Sequence, residues 1–73
     1  MDGKEAQVAV SQLLLGKIRD DKYPSNTHME MLEDSLPREM LDEYLEVLMD
    51  KVADEPYPSI DMLRRIQRVA DSI

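Results

Sequence analysis

The chain has 73 residues, sixteen of them acidic against nine basic, a net charge of −7 and no cysteine. So short a chain implies one domain over residues 1–73, burying about 60–65 % of the surface it exposes when unfolded; disulfides and cysteine-based zinc sites are excluded, leaving stability to helix packing or self-association. The negative charge opposes phosphate backbones and anionic membranes, no apolar run approaches the ~20 residues of a membrane span, and the opening "MDGKEAQ" lacks the basic-then-apolar order of a secretion signal, so a cytoplasmic protein is expected.

The first helix is predicted from Lys4 to Asp21, with Val10, Leu13, Leu14 and Ile18 on one stripe and Gly16 weakening it slightly. Pro24 ends it, because the residue before a proline is pushed into extended geometry. Ser25 then offers an N-cap oxygen to a second helix; Thr27 competes, since Thr27 and Glu30 have capping-box spacing. Pro37 suits the first turn of a third helix, with Ser35 or Leu36 at the cap position. That helix runs to about Ala53, with Met40, Leu41, Tyr44, Leu45, Leu48 and Val52 on its apolar face and Glu39, Asp42, Glu43, Glu46 and Asp50 on the opposite one. Pro56-Tyr57-Pro58 breaks the chain again. Ser59 is predicted to cap a final helix from Ile60 to about Ser72, carrying Ile60, Leu63, Ile66, Ala70 and Ile73 as its stripe and Arg64, Arg65 and Arg68 outside it.

Tyr-Pro-Ser occurs twice, and a shift of 34 residues, which carries Ser25 onto Ser59, aligns residues 12–25 with 46–59 without a gap. Leu14 then falls on Leu48, Lys17 on Lys51 and Asp20 on Asp54. The fold expected is all-α: a small antiparallel four-helix bundle built from two helix-turn-helix repeats, about residues 4–34 and 37–73, with Leu14 and Leu48 in equivalent buried places. The period matches that of tetratricopeptide repeats, but their Trp, Leu-Gly, Tyr and Ala-Phe pattern is missing. Each Tyr-Pro-Ser is read as a joint in which proline stops one helix, serine starts the next, and tyrosine lays its ring over the junction. The alternative is that Tyr23 and Tyr57 form a paired recognition surface.

The segments "YPSNTHMEMLE" and "LDEYLEVLMDKVADEPYPSIDMLRRIQ" resemble a group of small, uncharacterised helical proteins of actinobacteria and their bacteriophages. The likeness spans nearly the whole chain. It implies a small accessory protein and transfers no activity, cofactor or site.

Chemistry is sparse. His28 is the only histidine, and one imidazole without thiolates falls short of the three or four ligands a transition metal needs. Gly3 and Gly16 do not cluster, so no phosphate-binding loop is possible. The carboxylates of the third helix read as a solvated face, with a docking face for a basic partner as the main alternative. No catalytic residue, metal ligand or cofactor is assigned.

The function expected is therefore a non-enzymatic interaction module that binds a protein partner or itself. Its contact candidates are Met29, Met31, Met40, Met49, Met62, Tyr23 and Tyr57, together with Arg64, Arg65 and Arg68, because methionine adapts and arginine and tyrosine are enriched at interfaces. The alternative is a helix-turn-helix DNA-binding regulator presenting the three arginines of its last helix, which the net charge disfavours.

Overall fold

The computed structural model describes residues 1–72. Among them all regular structure is helical: α1 (Gly3–Asp20), α2 (Asn26–Asp34), one 3-10 turn (Arg38–Met40), α3 (Leu41–Ala53) and α4 (Ile60–Asp71), with no strand. The chain divides into two compact units, Met1–Leu41 and the part from Asp42 on.

In the first unit, α1 starts because Asp2 accepts a hydrogen bond from the Glu5 backbone N–H at 2.8 Å. Glu5 in the first turn and Lys17 and Arg19 in the last suit the helix dipole. The helix ends at Asp21, whose backbone is extended while its N–H still reaches the Lys17 carbonyl. Ser25 caps α2 by accepting from the His28 N–H at 3.3 Å. Thr27 lies inside the helix, so the serine takes the cap.

α1 and α2 pack on one another. Their buried residues are Ser11, Leu15 and Ile18 on α1 and Met29 and Leu32 on α2. The expected α1 stripe is thus displaced by one position: Val10 and Leu13 are exposed, at 48 % and 74 %, and Leu14 is half-buried. Three successive leucines reach around more than half a helix, so spacing alone does not choose the inward side. One consequence is a polar atom in the interior: Ser11 is 1 % exposed, and its hydroxyl oxygen has no hydrogen-bond partner.

The start of the third helix also differs from expectation. Ser35 closes α2 instead of opening α3, its N–H bonding back to the Leu32 carbonyl. Pro37 is extended, at ψ 140°, and precedes the 3-10 turn, where its carbonyl accepts from the Met40 N–H at 2.9 Å. With Ser35 already used and no side-chain oxygen on Leu36 or Pro37, the chain enters α3 through this tighter turn without a side-chain cap.

In the second unit α3 follows most of its predicted pattern. Tyr44 and Leu48 are buried, Leu45 and Val52 half-buried, and Asp42, Glu43, Glu46 and Asp50 exposed, while Val47, outside the expected apolar face, is buried as well. Ser59 caps α4, accepting from the Met62 N–H at 3.2 Å, and Asp61 lies in the first turn. The inward face of α4 is again displaced by one position. Arg65 and Val69 are buried and Met62 and Ile66 half-buried, whereas Ile60, Leu63 and Ala70 are exposed. Ile73, the last member of the expected stripe, lies outside the described residues.

The two joints agree closely in local geometry. Ser25 has φ −64° and ψ 134°, Ser59 φ −62° and ψ 135°, and each accepts the N–H three residues on. The flanking helices do not share a burial pattern. Leu48 is fully buried where Leu14 is half-buried, and the buried Leu15 and Met29 correspond to the exposed Met49 and Leu63. Backbone chemistry confined to a few residues repeats; side-chain packing, which depends on the whole surrounding, does not.

Candidate functional site

Of the residues expected at a binding surface, the structure exposes some and buries others. Tyr23 and Tyr57 are 74 % and 92 % exposed. Their rings therefore stand in solvent and do not cover the helix junctions. Each tyrosine sits in the bend before its proline. The Lys22 ammonium lies 5.6 Å from the Tyr23 ring centroid, a solvent-facing cation–π contact.

The methionines divide in the same way. Met29 and Met40 are core, Met62 is half-buried, and Met31 and Met49 are about half exposed, at 49 % and 52 %. On α4, Arg64 and Arg68 are exposed, but Arg65 is only 8 % exposed. That corrects its placement outside the inner stripe. Arg65 lies three residues after Met62 and four before Val69, on the helix's inward face, and nearly the whole side chain is buried there.

The backbone N–H of His28 serves the Ser25 cap, and the buried Nδ1 of its ring has no hydrogen-bond partner. Among the described residues no group of three or more His, Cys, Asp or Glu side chains is placed to hold a metal ion. No described helix is long and apolar enough to cross a membrane.

A further feature emerges on α3. Asp42, Leu45, Glu46, Met49 and Asp50 line an open depression. Their spacing places them on one side of the helix, with the carboxylates in a row four apart and Leu45 and Met49 in a second row beside them. Leu45 is half-buried, and the three acids are exposed. The spacing made the acidic row visible in the sequence. Its pairing with Leu45 and Met49 is not evident there, because Leu45 reads as core and Met49 as one contact candidate among five methionines.

Comparison with protein-family models, curated proteins and solved structures finds no match.

Proposed function

We propose that the chain is a non-enzymatic protein–protein interaction module, a small acidic accessory or regulatory protein of the cytoplasm, phage-related as its sequence resemblance implies, that binds a protein partner or itself. The observation that carries this reading is the apolar surface left on its helices. Val10 and Leu13 stand exposed three residues apart on α1, and Ile60 and Leu63 stand exposed at the same spacing on α4. Single exposed apolar residues are ordinary on any surface; neighbouring ones on a helix face are the places where a contact can start. The exposed Tyr23, Tyr57, Met31 and Met49 add side chains of the kind favoured at interfaces.

The test is sedimentation of the purified protein over a range of concentrations, combined with affinity capture from the native host. Self-association, or a captured protein that then binds directly in purified form, supports the module, provided that Leu13→Asn or Ile60→Asn weakens the contact. A protein that stays monomeric and captures nothing overturns it.

The exposed Arg64 and Arg68 favour a second reading, a DNA-binding regulator using α4. The burial of Arg65 leaves that surface two arginines instead of three, beside the exposed Asp61 and Asp71. A gel shift with duplex DNA at low salt, abolished by Arg64→Ala with Arg68→Ala, would establish this reading; no shift at micromolar protein removes it.

A further inference from the structure

We infer that the depression on α3 is a docking surface, and that its occupant is a cationic amphipathic helix of another protein. This rests on the interaction-module reading and assigns it a surface and a partner chemistry.

The geometry supplies the first half. From Asp42 to Asp50 the surface runs two helical turns, about 12 Å at the α-helical rise, and consists of two parallel rows. Leu45 and Met49 form an apolar row that can receive side chains spaced three or four apart on a partner helix. Met49, half exposed and unbranched, can adjust to different shapes. Asp42, Glu46 and Asp50 form the adjoining row, one carboxylate per turn, in register with lysines or arginines spaced four apart on the same partner helix.

Charge selects among the occupants. The chain as a whole carries −7, so a cationic partner is drawn in at long range while DNA and anionic lipid are repelled. A second copy of the chain carries the same −7 and is repelled likewise. The cationic surface such a copy could offer is α4, where the exposed Arg64 and Arg68 are accompanied by the exposed Asp61 and Asp71. That mixed face is a poorer complement to three carboxylates than a helix basic along one side.

The experiment measures fluorescence anisotropy of a labelled synthetic helix of leucine and lysine, patterned so that leucines occupy one face, against the full chain. A scrambled peptide of the same composition is the control. Three variants are compared: Asp42→Asn with Glu46→Gln and Asp50→Asn; Met49→Gln; and a charge-matched change elsewhere, Asp20→Asn with Glu30→Gln and Asp34→Asn. All the replaced residues are exposed, and circular dichroism checks that each variant keeps its helicity.

The patterned peptide is expected to bind the parent more tightly than the scrambled one. The α3 triple variant should lose roughly tenfold or more in affinity and much of the salt dependence. The charge-matched triple should lose less than about threefold, as screened long-range attraction alone would give. Met49→Gln should weaken binding several-fold with the salt dependence unchanged. Equal binding of the two peptides, or equal loss in the two triple variants, overturns this surface and leaves the module reading to be met by another face. A parent dimer that dissociates in the α3 triple variant overturns the occupant, making it a second copy. Retention of duplex DNA with no binding of either peptide overturns both the surface and the module reading.

Discussion

Ser11→Ala should stabilise the protein. Ser11 is fully enclosed in the α1–α2 unit, and its hydroxyl oxygen has no hydrogen-bond partner. A buried polar group left unsatisfied costs about 1–3 kcal/mol, and replacing it with a methyl hydrogen removes that cost. Alanine also favours the helix interior over serine by about 0.5 kcal/mol. Against this stands a small void where the oxygen was, worth about 0.3 kcal/mol for one atom's volume at the usual cavity coefficient. The balance favours the variant by about 1–3 kcal/mol, and at 4–8 °C per kcal/mol for a domain of this size the melting temperature should rise by about 5 °C or more. Thermal unfolding followed by far-ultraviolet circular dichroism reads the shift directly. Gln12→Ala, at an exposed position on the same helix, isolates the propensity effect and should change the stability by no more than about 0.5 kcal/mol. A melting temperature that falls in Ser11→Ala would refute the reasoning, because it would mean that the hydroxyl is satisfied, by a carbonyl of its own helix or by an enclosed water.

Other substitutions test the remaining parts of the framework. Ser59→Ala should lower stability by about 0.5–2 kcal/mol, and Ser25→Ala by less, because α2 can restart at Thr27 with Glu30 closing the box; equal melting temperatures for both variants and the parent would remove the caps from the account. Leu15→Ala should cost about 2–5 kcal/mol in denaturant titration, enough to unfold much of a domain this small, whereas Leu13→Ala should be near neutral, and the reverse order would restore the α1 face expected from spacing. Arg65→Ala should destabilise by about 2 kcal/mol through loss of a buried side chain, while Arg64→Ala stays within about 0.5 kcal/mol; matching effects on chemical denaturation would place both arginines in the same environment.

The breaks at the two Tyr-Pro-Ser joints are legible because each is set locally, whereas the start of α3 is not, since Ser35 closes α2 instead. Pro24 and Pro58 disfavour a helical conformation in the preceding residue, and Ser25 and Ser59 supply the oxygen the next helix lacks. Asp2, which the sequence reading passes over, also caps: its carboxylate accepts from the Glu5 N–H, and α1 begins at Gly3 instead of Lys4. The inward faces of α1 and α4 were not legible. Leu13, Leu14 and Leu15 offer apolar surface on adjoining sides of α1, and on α4 Met62 and Val69 compete with Ile60 and Leu63. Where two stripes are nearly equivalent, what packs against the helix decides between them, and burial of Ser11 and Arg65 goes against the polarity of either residue. On α3 the acids occupy one side only, which is why its apolar face could be read without its neighbours.

The exposed tyrosines bear on the lifetime of the chain once it meets peptidases. Segments between helices are where digestion usually begins, since the backbone there can be drawn out into the extended form an enzyme cleft requires. Aromatic side chains as accessible as Tyr23 and Tyr57 would ordinarily invite cleavage on their carboxyl side. In both places the bond concerned leads into proline, Pro24 or Pro58, whose nitrogen has no hydrogen to offer the cleft and whose ring fixes the local angle. Enzymes that cut after aromatic residues are turned away from both connections, while the bond after Lys22, exposed and followed by Tyr23, stays open to those that cut after basic ones.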